Sequence, residues 1–225
     1  MTEFDSFAKS YRELVDESVR VSGESAQYFA AYKARYIAST FESTKVETVL
    51  DYGCGIGALA EQLKFHIPAA RIDGFDPSED SLGRIAPSLL KQGIYTSNPD
   101  SLEHAYDLIV ISNVLHHVPP VSRSRVIAQS FSKLAPGGRL VIFEHNPINP
   151  LTRWAVSQCP FDGDAILLKN SEVRSLLEKS ELRKLRRDFI VFFPHWLAAF
   201  RPIERHLSWL PFGAQFAFSG VRSHS

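Results

Sequence analysis

The sequence predicts an α/β fold in which helices cover a parallel sheet. Two observations carry this. An apolar run, Thr48-Val49-Leu50, leads into a turn with Gly53, Gly55 and Gly57, and Ala58 to Leu63 continues as a helix. From there strand and helix patterns alternate as far as Glu144, and Ala105 to Ser112 is apolar on both faces, as a central strand of a parallel sheet is.

The 225 residues carry 25 basic and 25 acidic side chains, so no global field attracts nucleic acid. The length suits one large domain, or one domain with a small cap. Two cysteines, Cys54 and Cys159, make no disulfide framework and fit a reducing cytoplasm. The first residues lack the basic start and apolar run of a signal peptide. No stretch reaches the ~18 apolar residues of a spanning helix.

Residues 4 to 40 read as two helices. Phe4, Phe7, Tyr11, Leu14 and Val15 recur at helical spacing, and so do Tyr28, Phe29, Tyr32, Tyr36 and Ile37. Gly23 separates them, and Ser22 or Ser25 is placed to cap the second. Gly53, Gly55 and Gly57 in the turn after the first strand carry no Cβ, so the backbone can bend sharply and a ligand can lie against it. The helix behind it aims free N–H groups at the same place. Asp51 selects the ligand. A dinucleotide would set its pyrophosphate against this carboxylate, whereas S-adenosylmethionine brings an ammonium and a sulfonium. The other reading is a tight turn without ligand.

Ala70 to Asp76 reads as the second strand and ends in an acid about twenty residues past the turn, where doubly wound folds bind the ribose hydroxyls. Pro77 keeps Asp76 extended; a helix cap is the alternative for this residue. Ser81 to Lys91 reads as an amphipathic helix and Gly93 to Thr96 as a third strand. The loop Ser97 to Leu102 follows. Asn113 to Pro119, with His116 and His117, leaves the carboxyl end of the fourth strand, where open α/β sheets bind ligands. A histidine there can take a proton near neutral pH or simply shape the pocket floor. Pro119 and Pro120 begin a helix to Leu134, and Arg139 to Glu144 is the fifth strand.

Glu144-His145-Asn146-Pro147-Ile148-Asn149-Pro150 through Trp154 reads as irregular backbone. Glu144 and His145 could be a base and its orienter, or could begin a metal site with Asp162 and Asp164. That ligand set is incomplete, so metal-free catalysis is expected. Ser171 to Lys179 reads as a capped helix, Leu185 to Phe193 as a sixth strand and Gln215 to Val221 as a seventh. Between the last two lies an aromatic, basic insert, Pro194 to Phe212, suited to core or dimer packing, to a pocket lid or to a membrane surface.

Asp51-x-Gly53-x-Gly55-x-Gly57 resembles motif I of the class I methyltransferases, which use S-adenosylmethionine. Tyr-Asp-Leu-Ile-Val with Leu-His-His-Val resembles their fourth-strand motif. Leu134-x-Pro136-Gly137-Gly138-x-Leu140 is similar to the turn before their fifth strand. The resemblance runs from residue 46 to 144 without a gap, and Phe4-Asp5-x-x-Ala8-x-x-Tyr11 is similar to their N-terminal cap.

The resemblance implies a Rossmann-like α/β fold: a seven-stranded sheet with an antiparallel last strand, helices on both faces and an N-terminal helical cap. The cap would be residues 1–40, and residues 41–225 the methyltransferase domain, with the aromatic insert at 194–212. It implies cofactor contacts at Tyr11, Asp51, Gly53, Cys54, Gly55, Asp76, Pro77, Asp100, Ser101 and Asn113, with Asn98 the alternative to Asp100 at the adenine. His117, His116 and His145 are the candidate catalytic residues, and no metal is implied.

The expected enzyme is cytoplasmic and acts by O- or N-methylation on a small molecule. The segment after the fifth strand is similar to a bacterial branch associated with natural products and polysaccharides, so a natural-product or sugar/lipid intermediate is expected. No nucleic-acid partner is expected, because the Asn-Pro-Pro-Tyr type of tetrapeptide is missing. A peripheral membrane contact is open, as is the choice between monomer and homodimer. The rival reading is a methyltransferase-like binding module without turnover.

Overall fold

The computed structural model describes residues 22–41, 45–102, 105–159 and 162–223. The predicted first helix and Tyr11 lie outside the described residues. Helix α1 (Ala26–Thr40) begins where Ser25 caps it, its side chain accepting from the Tyr28 amide. Strand β1 (Thr48–Tyr52) runs through the glycine turn into α2 (Ala58–His66). Next come β2 (Arg71–Phe75), the short α3 (Glu79–Leu82) and α4 (Pro87–Leu90), and β3 (Tyr95–Thr96). Strand β4 (Tyr106–Ser112), α5 (Pro120–Ser132) and β5 (Leu134–His145) form the centre. The chain closes with α6 (Pro150–Gln158), α7 (Asn170–Glu178), β6 (Leu182–Ile190) and β7 (Gln215–Arg222).

The seven strands are ordered β3-β2-β1-β4-β5-β7-β6. Strands β1 to β5 pair in parallel, and β7 enters antiparallel between β5 and β6. The expected sheet, with its reversed last strand, is therefore present. Along β4 the side chains alternate between two cores. Leu108 and Val110 join Ala34, Ile37, Leu63 and Phe143 on one face, while Ile109 and Ile111 join Ile127, Val173 and Leu177 on the other. Burial on both faces is why this tract reads as continuously apolar rather than alternating.

Several boundaries differ from the sequence reading. The helix expected over 81–91 is two short helices, α3 and α4; Gly83 caps the first and Pro87 opens the second. Ser78, not Asp76, caps α3, its hydroxyl accepting from the Ser81 amide. Helix α5 stops at Ser132, and Leu134 already pairs with Tyr106 in the sheet. Strand β6 starts three residues early, at Leu182, and ends at Ile190. Helix α7 starts at Asn170 without a side-chain cap.

The stretch expected to be irregular contains α6. Asn149 accepts from the Leu151 and Thr152 amides at 2.9 and 3.1 Å, and Pro150 occupies the first helical position, where its missing N–H costs nothing. The aromatic insert is a run of 3₁₀ turns, His195–His206, broken at Leu197. Trp196, Phe200, Trp209 and Phe212 are exposed, so these rings do not enter the core.

Candidate active site

The glycine turn stands at the carboxyl end of β1. The Gly53 and Cys54 amides both donate to the Phe75 carbonyl, at 2.7 and 2.9 Å, which ties the turn to the end of β2. Gly53, Gly55 and Gly57 have φ of 83°, 51° and 82°, a region that costs side-chain-bearing residues steric energy. A Cβ on Gly53 would meet Val114 Cγ2 at 2.3 Å, whereas one on Gly55 would meet nothing within 4 Å. Among the described residues, the second glycine therefore borders open space. Its amide donates to Asp76 Oδ2 at 2.8 Å, and Asp76 Oδ1 accepts from the Ser78 amide at 2.9 Å. Both oxygens are thereby oriented at the mouth of the turn, beside Pro77.

Two buried aspartates on neighbouring strands behave differently. Asp73 is partnered by Arg71 at 2.6 Å, the Tyr106 hydroxyl at 2.7 Å and the Ile94 amide at 2.8 Å. Asp51 is 1 % exposed, yet its Oδ2 has no hydrogen-bond partner among the described residues. Burial, then the neighbouring Asp76 charge, pushes its carboxyl up to about 7, and Lys33 opposes them. Leaving a buried carboxylate oxygen unbonded is costly without a donor from outside the fold. Asn113, at φ 56° just past β4, likewise has a buried Oδ1 without a partner. Two unmatched acceptors at the ends of adjacent strands fit the ammonium of a methionine group. The cofactor implied by the sequence thus has residues that suit it.

Lys33 was not foreseen. It lies on the buried face of α1, donates to Ser112 Oγ at 2.8 Å and stands over the Phe143 ring. Burial brings its amine down to about 8, against the pull of Glu144 and Asp51. A lysine among Ala30, Ala34 and Ile37 on one helical face was the available signal. At the third strand, Asn98 Oδ1 is used internally, accepting from the Asp100 amide, and the Ser101 hydroxyl donates to the Asn98 carbonyl. The Asp100 side chain stays at the surface.

The candidate catalytic histidines converge. A 3₁₀ turn, Leu115–His117, follows β4, and Glu144, next to last in β5, stands beside it. Glu144 Oε1 accepts from the Leu115 amide at 2.7 Å, and its Oε2 lies 2.6 Å from His116 Nδ1. Asp162 Oδ1 lies 3.4 Å from His116 Nε2 and 3.3 Å from His117 Nε2. The His145 ring sits 5.0 Å from that of His116. Burial opposes charge on His116, but Glu144 and Asp162 outweigh it and raise the imidazole to about 9. Loss of solvent, with His116 adding repulsion, brings His145 down to about 3.

Arg123 on α5 braces the cluster. Its guanidinium donates to the Leu115 and Val118 carbonyls, both at 3.0 Å, and to the Ile166 carbonyl at 2.7 Å, joining the histidine turn to the segment that carries Asp162. Sequence order separates these groups by more than forty residues, so spacing alone did not reveal the brace. Asp164, the other acid considered, lies outside the cluster.

The chain belongs to the family described as "Methyltransferase domain", whose model matches residues 24–211. It is similar to a trans-aconitate 2-methyltransferase of Variovorax paradoxus, 32% identical over 122 residues, which are 50% of this chain and 46% of that one. The chain thus aligns with about half the length of that curated relative. Its fold is that of a SAM-dependent methyltransferase from Archaeoglobus fulgidus: TM-score 0.68, 18% identity, 88% of this chain and 95% of the other covered. It is also that of a magnesium protoporphyrin IX methyltransferase from Synechocystis, solved with bound SAM: TM-score 0.59, 19% identity, coverage 93% and 84%.

Proposed function

We propose that the chain transfers the methyl group of S-adenosylmethionine to an oxygen or nitrogen of a small molecule. The observation that carries this is Asp51, a buried carboxylate with an oxygen unpartnered among the described residues, beside a glycine turn they leave open. In this reading Asp51 and Asn113 receive the methionine ammonium. Gly53, Cys54 and Gly55 carry the backbone against the ligand, Asp76 and Pro77 border the ribose, and Asp100 with Ser101 borders the adenine. Tyr11 would close the site from the N-terminal cap, residues 1–40, over the domain at 41–225.

The acceptor's lone pair attacks the methyl carbon, the carbon–sulfur bond breaks, and its electrons return to sulfur to leave S-adenosylhomocysteine. The protein's part is alignment and exclusion of water. The acceptor's proton goes to His117, because His116 already has a carboxylate at each nitrogen and burial leaves His145 too weak a base. The exposed rings of the 194–212 insert support an acceptor with an apolar part, such as a natural-product or sugar/lipid intermediate, and a peripheral membrane contact. A cytoplasmic monomer or homodimer without nucleic-acid partners completes the reading. No described helix is long and apolar enough to cross a membrane.

The test is turnover: S-adenosylhomocysteine release on addition of a panel of phenols, carboxylic acids and amines. Release with one class supports the reading and names the acceptor. Tight cofactor binding without release on any of them would favour the binding-module alternative.

A further inference from the structure

We infer that His116, His117 and Asp162 form a binding site for one first-row divalent transition-metal ion, with a coordination position left for an acceptor oxygen. The inference goes beyond the methyl-transfer reading and rests on it only for what fills that last position; with the ion bound, His117 would be a ligand rather than the proton acceptor, and the ion's charge would favour a deprotonated acceptor oxygen. One ligand atom from each of His116, His117 and Asp162 lies within 4.8 Å of the other two.

Their spacing is informative. Asp162 Oδ1 stands 3.4 Å from His116 Nε2 and 3.3 Å from His117 Nε2, long for charge-assisted hydrogen bonds, which run to ~2.7–2.9 Å. Donors at ~2.0–2.1 Å from a tetrahedral ion lie roughly 3.3–3.4 Å apart, the edge of that tetrahedron. The two distances therefore suit a shared ion better than a direct contact.

A second, independent feature is the carboxylate behind the ligand. Glu144 Oε2 is 2.6 Å from His116 Nδ1, the outer-shell arrangement that fixes a metal-binding imidazole with Nε2 forward. Glu144 is held in turn by the Leu115 amide, and Arg123 ties the histidine turn to Ile166, four residues past Asp162. The site is thus supported on both sides. Two imidazoles and one carboxylate select an ion of the zinc, cobalt or iron kind over magnesium or calcium, which prefer oxygen donors. Three protein ligands are also the number that leaves a catalytic ion open. The site begins three residues past Asn113, on the same carboxyl edge of the sheet as the glycine turn.

The experiment is a titration of the full chain, stripped by chelator, with Co²⁺ followed by its visible ligand-field absorption, then with Zn²⁺ as competitor. One equivalent of cobalt should produce the band, and zinc should abolish it. His117→Gln and Asp162→Asn should each weaken cobalt binding at least tenfold, and Glu144→Gln should weaken it by ~10–100-fold through the outer shell. S-adenosylmethionine binding by the same samples serves as the control for folding. Cofactor binding without cobalt binding would overturn the metal site and leave the methyl-transfer reading standing. Cobalt binding unchanged in His117→Gln and Asp162→Asn would also overturn it, by placing the ion elsewhere. Cobalt binding that follows the variants, without cofactor binding, would uphold the site and sink the methyl-transfer reading instead.

Discussion

The amide of Gly55 and the carboxylate of Asp76 are joined at 2.8 Å, so the turn after β1 and the acid after β2 form one rigid edge. That contact uses one Asp76 oxygen and orients the other. Removing the side chain therefore does two things: it frees the turn and deletes the acceptor proposed for the ribose. Asp76→Ala should weaken S-adenosylmethionine binding by ~1–3 kcal/mol, roughly five- to 150-fold, as read by calorimetry. Unchanged affinity would remove Asp76 from the ribose.

The glycines of the turn should differ in their tolerance. Gly55→Ala meets no neighbour among the described residues, so its expected cost is the left-handed backbone alone, ~1–2 kcal/mol. Gly53→Ala adds a collision with Val114, a stiff β-branched side chain, and roughly 1–3 kcal/mol more. Urea midpoints of the two variants should fall in that order. Equal midpoints would mean that Val114 yields freely.

Asp51 should make both stability and cofactor affinity depend on pH. Its carboxyl titrates near 7 in the fold, against 3.8 ordinarily, with Asp76, Lys33, Cys54 and Tyr95 as the titratable groups that interact with it. Between those values the folded chain holds a proton that the unfolded chain has lost. The contribution of Asp51 to ligand-free stability thus falls as pH rises from about 4 to 7. A cationic ligand prefers the ionised carboxylate, so its affinity should rise over the upper part of that range and level off above it. Melting temperatures and titrations at several pH values check both slopes, and Asp51→Asn should flatten them.

Arg123 should prove structural rather than chemical. Its guanidinium is 1 % exposed and serves three backbone carbonyls, so Arg123→Met leaves those oxygens with poorer partners. A loss of roughly 2–3 kcal/mol in unfolding free energy is expected from denaturant titration. Its pair with Glu172 adds little, because that glutamate is 42 % exposed on its side chain.

What could be read in advance followed from local pattern. Leu108 to Ile111 are apolar because both faces of β4 are covered, and Gly53 to Gly57 recur because the turn needs positive φ. Local pattern also misled where capping outweighed composition: Asn149 and Pro150 start a helix that looked like loop, and Gly83 with Pro87 divides one that looked continuous. The site was legible as far as its parts are consecutive. His116 and His117 stand together in the sequence, but their meeting with Asp162 and Glu144 depends on the sheet order and on Arg123. Lys33 reaches the site from a helix that reads as ordinary amphipathic packing. Such contacts belong to tertiary structure and leave little trace in spacing.

The most direct test of the account is calorimetric titration of the full chain with S-adenosylmethionine, S-adenosylhomocysteine and NAD in parallel. Micromolar binding of the first two, weakened in Asp51→Asn, is expected, and none of NAD. A folded protein that binds none of the three, or that binds NAD in their place, would contradict it.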